Sequence, residues 1–381
     1  MNPPLDNPLA HRMARMIKAA GPISLAEYMH IAMADPAHGY YATRPAIGAK
    51  ADFITAPEVS QMFGELIGIW CATSWQAIGA PNRFTLAEAG PGRGTLMADL
   101  LRAAASVPGF VNAANIVLIE TSPAMRACQR QTLAAHAKRL AWTDRLETLG
   151  NAPLIVIANE FLDVFPMRQY VKSNGNWHER RIGLDKNGGF VSVLDGPLAD
   201  TGILPIRHKA EPDGSAFEVS PAREAWAQML AERLAAQGGS ALLIDYGHSR
   251  HGFGDTFQAV RQHRSADPLA DPGFADLTSH VDFEAVAAAA RRGGALASPI
   301  VSQGDFLLEM GLSQRAGQLA KGKSAAQKQQ IRIDADRLAH REKMGALFKV
   351  LALANDQNAS AMILVPPFAM AGSVRHVPIQ G

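Results

Sequence analysis

Phe84-Thr85-Leu86-Ala87-Glu88-Ala89-Gly90-Pro91-Gly92-Arg93-Gly94-Thr95 is the stretch that decides how the rest of the chain is read. A short apolar run ends in an acid, glycines follow at alternate positions, and Thr95 opens a helical pattern running to Ala105. Glycine lets a backbone turn sharply and approach a ligand closely, and the helix beyond it offers unpaired N–H groups. The dinucleotide fingerprint G-x-G-x-x-G would need a third glycine where Thr95 stands. An acid followed by G-x-G-x-G suits S-adenosylmethionine (SAM) better. Glu88 can meet the ammonium group of that ligand, and Glu120, at the end of the next strand, can accept from ribose hydroxyls. Glu88, Gly90, Gly92, Gly94, Thr95 and Glu120 form the candidate cofactor set. The plainer alternative is a tight turn with an acid beside it.

Working outward, strand patterns alternate with helical ones. Residues 84–88, 116–120, about 140–143, 154–158, 241–245, 297–303 and 347–354 read as strands, and Met362–Pro366 as a strand end or an edge strand. Gln61–Ala77, Ser122–Leu140, Ala222–Ala236, Phe283–Arg292 and Asp305–Gln330 read as helices. Ser24 stands three residues before Glu27, the spacing of a helix-start capping box. Buried strands alternating with helices predict an α/β fold with a mainly parallel sheet covered on both faces. Arg168–Val171, Trp177–Gly183 and Phe190–Leu194 predict a β-rich insertion.

The chain has 381 residues, 48% hydrophobic and 19% charged, which excludes a mostly disordered protein. With 37 basic and 35 acidic residues, its net charge of +2 gives no overall footprint for nucleic acid. Cys71 and Cys128 are too few for a disulfide framework or a four-thiolate zinc site. No apolar run approaches the roughly 20 residues of a membrane span. Nor do residues 1–8, polar and holding three prolines, read as a secretory leader. The expectation is a soluble cytoplasmic protein without membrane insertion and without a metal.

Asn159-Glu160-x-x-Asp163 follows the strand ending at Ala158, at the carboxyl edge where open α/β sheets hold ligands. An amide and two carboxylates suit a cationic substrate, and Asn159, Glu160 and Asp163 are the candidate catalytic residues. Acids also favour helix N-termini, so capping is the alternative. His248 is a candidate acid or base, Trp142 and Asp144 candidate adenine contacts, and the basic stretch Lys321–Lys349 a candidate docking face.

Five segments together resemble the MidA family of class I SAM-dependent methyltransferases. They are Ala51–Glu65, Glu88–Thr95, Asn159–Pro166, Asp245–His248 and Asp276–Phe283. The resemblance implies a Rossmann-like seven-stranded methyltransferase sheet over 81–381, with insertions at about 166–220 and about 305–345. It implies that a helical N-terminal region, 1–80, covers the cofactor, with Asp52, Thr55 and Gln61 near SAM. Mitochondrial members of that family methylate protein arginine and help assemble respiratory complex I, so the resemblance implies a protein partner of that kind. The alternatives are a noncatalytic SAM-binding assembly factor and an NAD-dependent oxidoreductase.

Overall fold

A computed structural model describes residues 7–43, 55–355 and Phe368. Asp52 and the strand expected at Met362–Pro366 lie outside the described residues.

The central sheet follows the buried runs. Its path runs Leu296–Ala297, Phe348–Ala354, Gly239–His248, Leu154–Asn159, Phe84–Ala89, Ala114–Ile119, Leu140–Thr143. Phe348–Ala354 pairs antiparallel with both neighbours, and the other neighbouring pairs on the path are parallel. Two short strands join off this path, Val281–Asp282 on Gly239–His248 and Val301–Ser302 on Phe348–Ala354, so the sheet has nine strands among the described residues rather than seven. The edge strand expected at 297–303 is split around Pro299, which has no N–H to give the ladder. At the break the Ser298 hydroxyl accepts the Ala352 N–H at 3.0 Å.

Alternation along each strand sends side chains to two cores. Leu86, Ile155, Ile157 and Leu242 meet the helices Gln61–Ala77 and Thr95–Ala104 on one face. Ala87, Val156, Ala158 and Leu243 meet Pro221–Gln237 and Phe283–Arg292 on the other. A Cβ on Gly68 would lie 2.5 Å from the Leu100 carbonyl oxygen, so glycine permits the close approach of the first helix pair.

The N-terminal helices Pro8–Ala20 and Leu25–Ala34 pack elsewhere. They share a core with Met167, Ile182 and Leu277, against a five-stranded sheet built mainly from the β-rich insertion. Ile23–Ser24 joins that sheet as a strand, pairing antiparallel with Ile182 and Arg181. Ser24 and Glu27 form the capping box: the Glu27 N–H donates to Ser24 Oγ at 3.1 Å, and the Ser24 N–H to Glu27 Oε2 at 2.8 Å. The single helix expected over Asp305–Gln330 is three, Gln303–Glu309, Leu312–Leu319 and Ala325–Ala339. Gly311 and Gly322, both at positive φ, separate them. The expected helix Ser122–Leu140 stops at Thr132 and continues as a 3-10 turn, Ala134–Arg139.

Candidate active site

Strand order reverses between Phe84–Ala89 and Leu154–Asn159, which opens a crevice at their carboxyl ends. The glycine loop leaves the first of these strands. Gly90, Gly92 and Gly94 all have positive φ, and a Cβ on Gly90 would meet the Phe161 ring at 2.8 Å. Gly94 is the N-cap of Thr95–Ala104. The Thr95 hydroxyl donates to Glu58 Oε1 at 2.7 Å, tying the glycine loop to the short helix Ala56–Val59.

A cavity of about 450 Å³ lies beside the loop, lined by Gly90, Gly92, Glu120, Glu160 and Phe161 among others. Ile119, Met125 and Leu146 supply apolar wall, and Asp144 also lines it. Glu120 stands just past the strand Ala114–Ile119 and is held from behind. Its Oε1 accepts the Ser122 N–H at 2.8 Å, and its Oε2 accepts from Gln129 Nε2 at 3.1 Å. Each carboxylate oxygen keeps a second lone pair for the cavity. Burial raises the Glu120 pKa above the usual carboxylate range.

Gln129 is a site residue that the sequence reading missed. Its amide also donates to the Gly92 carbonyl at 2.7 Å and accepts from Trp142 Nε1 at 2.8 Å. One fully buried amide thus fixes the glycine loop, Glu120 and the strand Leu140–Thr143. Trp142 itself packs against this amide and under Arg130. Nothing in the sequence marks Gln129 beyond an uncharged polar residue on a helix face that must be buried.

A recess of about 40 Å³, lined by Thr55, Glu58, Glu88, Asn159 and Glu160, shares Gly90 and Gly92 with the larger cavity. Glu88 is 3% exposed, its Oε2 has no hydrogen-bond partner, and burial pushes its pKa up to about 8. Gln61 is placed differently: its amide donates to Glu65 Oε1 at 3.3 Å, and it lines neither space. Glu65 is in turn clamped by Arg102 and Arg315.

Asn159, Glu160 and Asp163 are gathered at the carboxyl end of Leu154–Asn159. Glu160 sits at φ +50, a left-handed conformation rare for a residue with a Cβ. Its Oε1 accepts the Ala56 N–H at 3.0 Å and the Asn159 amide at 3.3 Å. Burial, reinforced by the charge of Asp163, raises its pKa to about 7. The helix-capping alternative finds no helix here: 160–167 is irregular. Asp245 shapes that loop instead, its Oδ2 accepting the N–H groups of Phe161, Leu162 and Asp163 at 3.1, 2.8 and 3.2 Å. Tyr246 donates its phenol to Asp163 Oδ2, and burial raises the Asp163 pKa. Asp163 lines neither space and stands behind Glu160. His248 faces a different cavity, with His251 and His280. Among the described residues no group of three or more His, Cys, Asp or Glu is placed to hold a metal.

The donor set fits SAM: a buried unpartnered carboxylate for an ammonium, a braced carboxylate for a ribose, apolar walls for an adenine, and glycines where the backbone must come close. Fold and site together define a Rossmann-like SAM-dependent methyltransferase. The family described as "Putative S-adenosyl-L-methionine-dependent methyltransferase" matches residues 66–300, and the chain belongs to it. Curated relatives include the mitochondrial protein arginine methyltransferase NDUFAF7 of Homo sapiens, 34% identical over 92% of this chain and 85% of its own. The NDUFAF7 homolog of Drosophila melanogaster, also named as mitochondrial, is 34% identical over 93% of this chain and 89% of its own. A solved structure from Burkholderia thailandensis, bound to S-adenosyl-homocysteine, aligns at TM-score 0.77 and 29% identity over 91% of this chain and 92% of that one. These findings displace the dinucleotide alternative. They also correct the cytoplasmic expectation, because the relatives are named as mitochondrial; cysteine count and the polar opening residues carry no address. No helix among the described residues is long and apolar enough to cross a membrane.

Proposed function

We propose that this methyltransferase acts on an arginine guanidinium of a protein partner, and that the partner is a respiratory complex I subunit. One observation carries the acceptor chemistry. Three buried oxygens at this end of the sheet, Glu88 Oε2, Asn159 Oδ1 and Asp163 Oδ1, have no donor. Such atoms are costly when left unpaired, and all three are acceptors, so the ligands that belong here are rich in N–H groups and cationic. A SAM ammonium answers Glu88, and a guanidinium with five N–H donors answers Asn159, which lines the recess, while Asp163 behind Glu160 adds negative charge without touching it. The relatives named as protein arginine methyltransferases support the same acceptor.

On this reading Glu88, Gly90, Gly92 and Glu120 hold the cofactor, and Gly94 and Thr95 set the loop and helix start that shape its site. The region 1–80 covers the site from above, through Thr55 and Ala56, and 81–381 carries the methyltransferase sheet. Bound SAM supplies an electrophilic methyl group. Glu160 orients the guanidinium: anchored by Ala56 and Asn159, its carboxylate accepts the N–H groups and fixes one nitrogen in line. With a pKa of about 7 it can take the proton that the methylated nitrogen sheds. Asp163, held by Tyr246, adds a second negative charge behind it. The loop's position, fixed by Asp245, keeps these groups at the closed end of the crevice.

The test is transfer of labelled methyl from SAM to arginine peptides and to purified complex I subunits, read by mass spectrometry. Methylarginine that disappears in Glu160→Gln is expected. SAM binding with no methylated arginine on any partner would favour the noncatalytic assembly factor instead.

A further inference from the structure

Tyr41 is the one side chain of the described N-terminal residues that lines the larger cavity, and the function above makes no use of it. Its delivery is built into the local sequence. The helix Leu25–Ala34 ends at Asp35, whose carboxylate accepts the N–H groups of Ala37 at 3.1 Å and His38 at 2.9 Å and pairs with Arg12. The Gly39 N–H donates to the Asp35 carbonyl at 2.9 Å, and a Cβ there would lie 2.5 Å from the Asp35 nitrogen, so the turn takes only glycine. Tyr40 is 1% exposed in the N-terminal core, and its ring meets that of Tyr41 edge-on, centroids 5.5 Å apart. The Tyr41 ring is therefore fixed from behind, while its front closes the wall that Gly90, Glu120 and Glu160 also line.

Burial, with the charges of Asp276, Asp163 and Glu120 around it, raises the phenol well above its ordinary range. Tyr41 is a neutral, electron-rich ring in an acidic surround, with Glu120 on the ribose side of the cavity and Asp163 on the acceptor side. The face of such a ring attracts a cation. Within the cofactor the proposed reaction has one group whose charge changes: the sulfur, positive before its S–CH₃ bond breaks and neutral once the methyl is bonded to nitrogen.

We infer that Tyr41 is a positioning residue that selects the charge state of the cofactor, its ring holding the sulfonium of SAM more tightly than the thioether of S-adenosylhomocysteine. The inference rests on the methyltransferase reading and adds a residue to it. Product loses the contact as soon as it forms, which favours its release over that of unreacted donor.

The experiment is calorimetric titration of the full chain with SAM and, separately, with S-adenosylhomocysteine, for wild type, Tyr41→Phe and Tyr41→Leu. Tyr41→Leu is expected to lose SAM affinity by about 5- to 30-fold while S-adenosylhomocysteine stays within about twofold. Tyr41→Phe, which keeps the ring, should keep both affinities. Retained S-adenosylhomocysteine binding certifies the fold of the variant. Equal weakening of both ligands in Tyr41→Leu, or no weakening of either, overturns the inference and leaves the methyltransferase reading standing. A wild-type chain that binds neither ligand overturns both.

Discussion

Glu120 and Glu160 are the same side chain twice on the wall of one cavity, and the protein holds them differently. Glu120 is braced: a backbone N–H and the Gln129 amide hold its two oxygens, and the same amide holds the glycine loop. Glu160 is strained at φ +50, carries a pKa of about 7, and has beside it Asn159 and Asp163 oxygens with no donor. At Glu120 both carboxylate oxygens are already held within the chain. The surroundings of Glu160 are completed only by what binds there. A site can thus divide its labour between an end preorganised for recognition and an end kept short of donors for chemistry.

The sharpest way to break this contrast is to remove charge from each end in turn. Glu160→Gln keeps shape and the Ala56 contact but loses the carboxylate, and should lower kcat by about 10²- to 10³-fold with SAM affinity little changed, in single-turnover kinetics beside calorimetry. Equal loss of binding and rate would erase the distinction. Glu120→Ala should do the reverse, weakening SAM by roughly 10- to 100-fold through lost charged hydrogen bonds. Proton counting sharpens the picture next. Glu88, with a pKa of about 8, is mostly protonated at pH 7, and an ammonium beside it favours the charged form. SAM binding at pH 7 should therefore release close to one proton, seen as a buffer-dependent enthalpy. The same carboxyl holds its proton in the folded state and loses it near pH 4.3 when unfolded. Stability without ligand should accordingly fall as pH rises from about 4.5 to 8, and denaturant melts of Glu88→Gln should show a flatter profile. The smallest effect is expected of Gln129→Ala, about fivefold in SAM affinity, because Glu120 keeps its Ser122 donor.

The sequence made one end of this site far more legible than the other. The glycine loop and its strand are local, so residues 84–95 alone announced them. Six of the central strands were found to within a few residues, most of them because buried strands read as continuous apolar runs, whereas the half-exposed Leu140–Thr143 offers only a short one. The edge strand was misread since two-residue pairings leave no such run. Gly311 and Gly322 did punctuate 305–330, yet isolated glycines inside a helical pattern are often tolerated, and three helices were read as one. The helix Pro8–Ala20 was covered only by the helical region expected over 1–80, without bounds of its own, and its core joins residues 23–33 to the distant Met167, Ile182 and Leu277. Gln129, Tyr41 and Asp245 escaped for a related reason: their partners at 92 and 120, in the cavity wall, and at 161–163 come together only through tertiary folding. His248, marked by its chemistry, turned out to face elsewhere.

The pairing of Ile23–Ser24 with Arg181–Ile182 also sets a clock. The first strand leaves the ribosome with no partner, and the one it needs lies more than 150 residues downstream. At about 5–20 residues per second that interval is roughly 8–30 s, during which Leu9, Met13, Tyr28 and Met29 have no finished surface to cover them. The turn that presents Tyr41 belongs to this same early segment. Nascent chains stalled before residue 181 should be cut by protease within 8–34, and chains stalled well beyond 278, with Leu277 in place, should resist. The wall of the cofactor cavity is thus begun at Tyr41 and not finished until Met229 has been made.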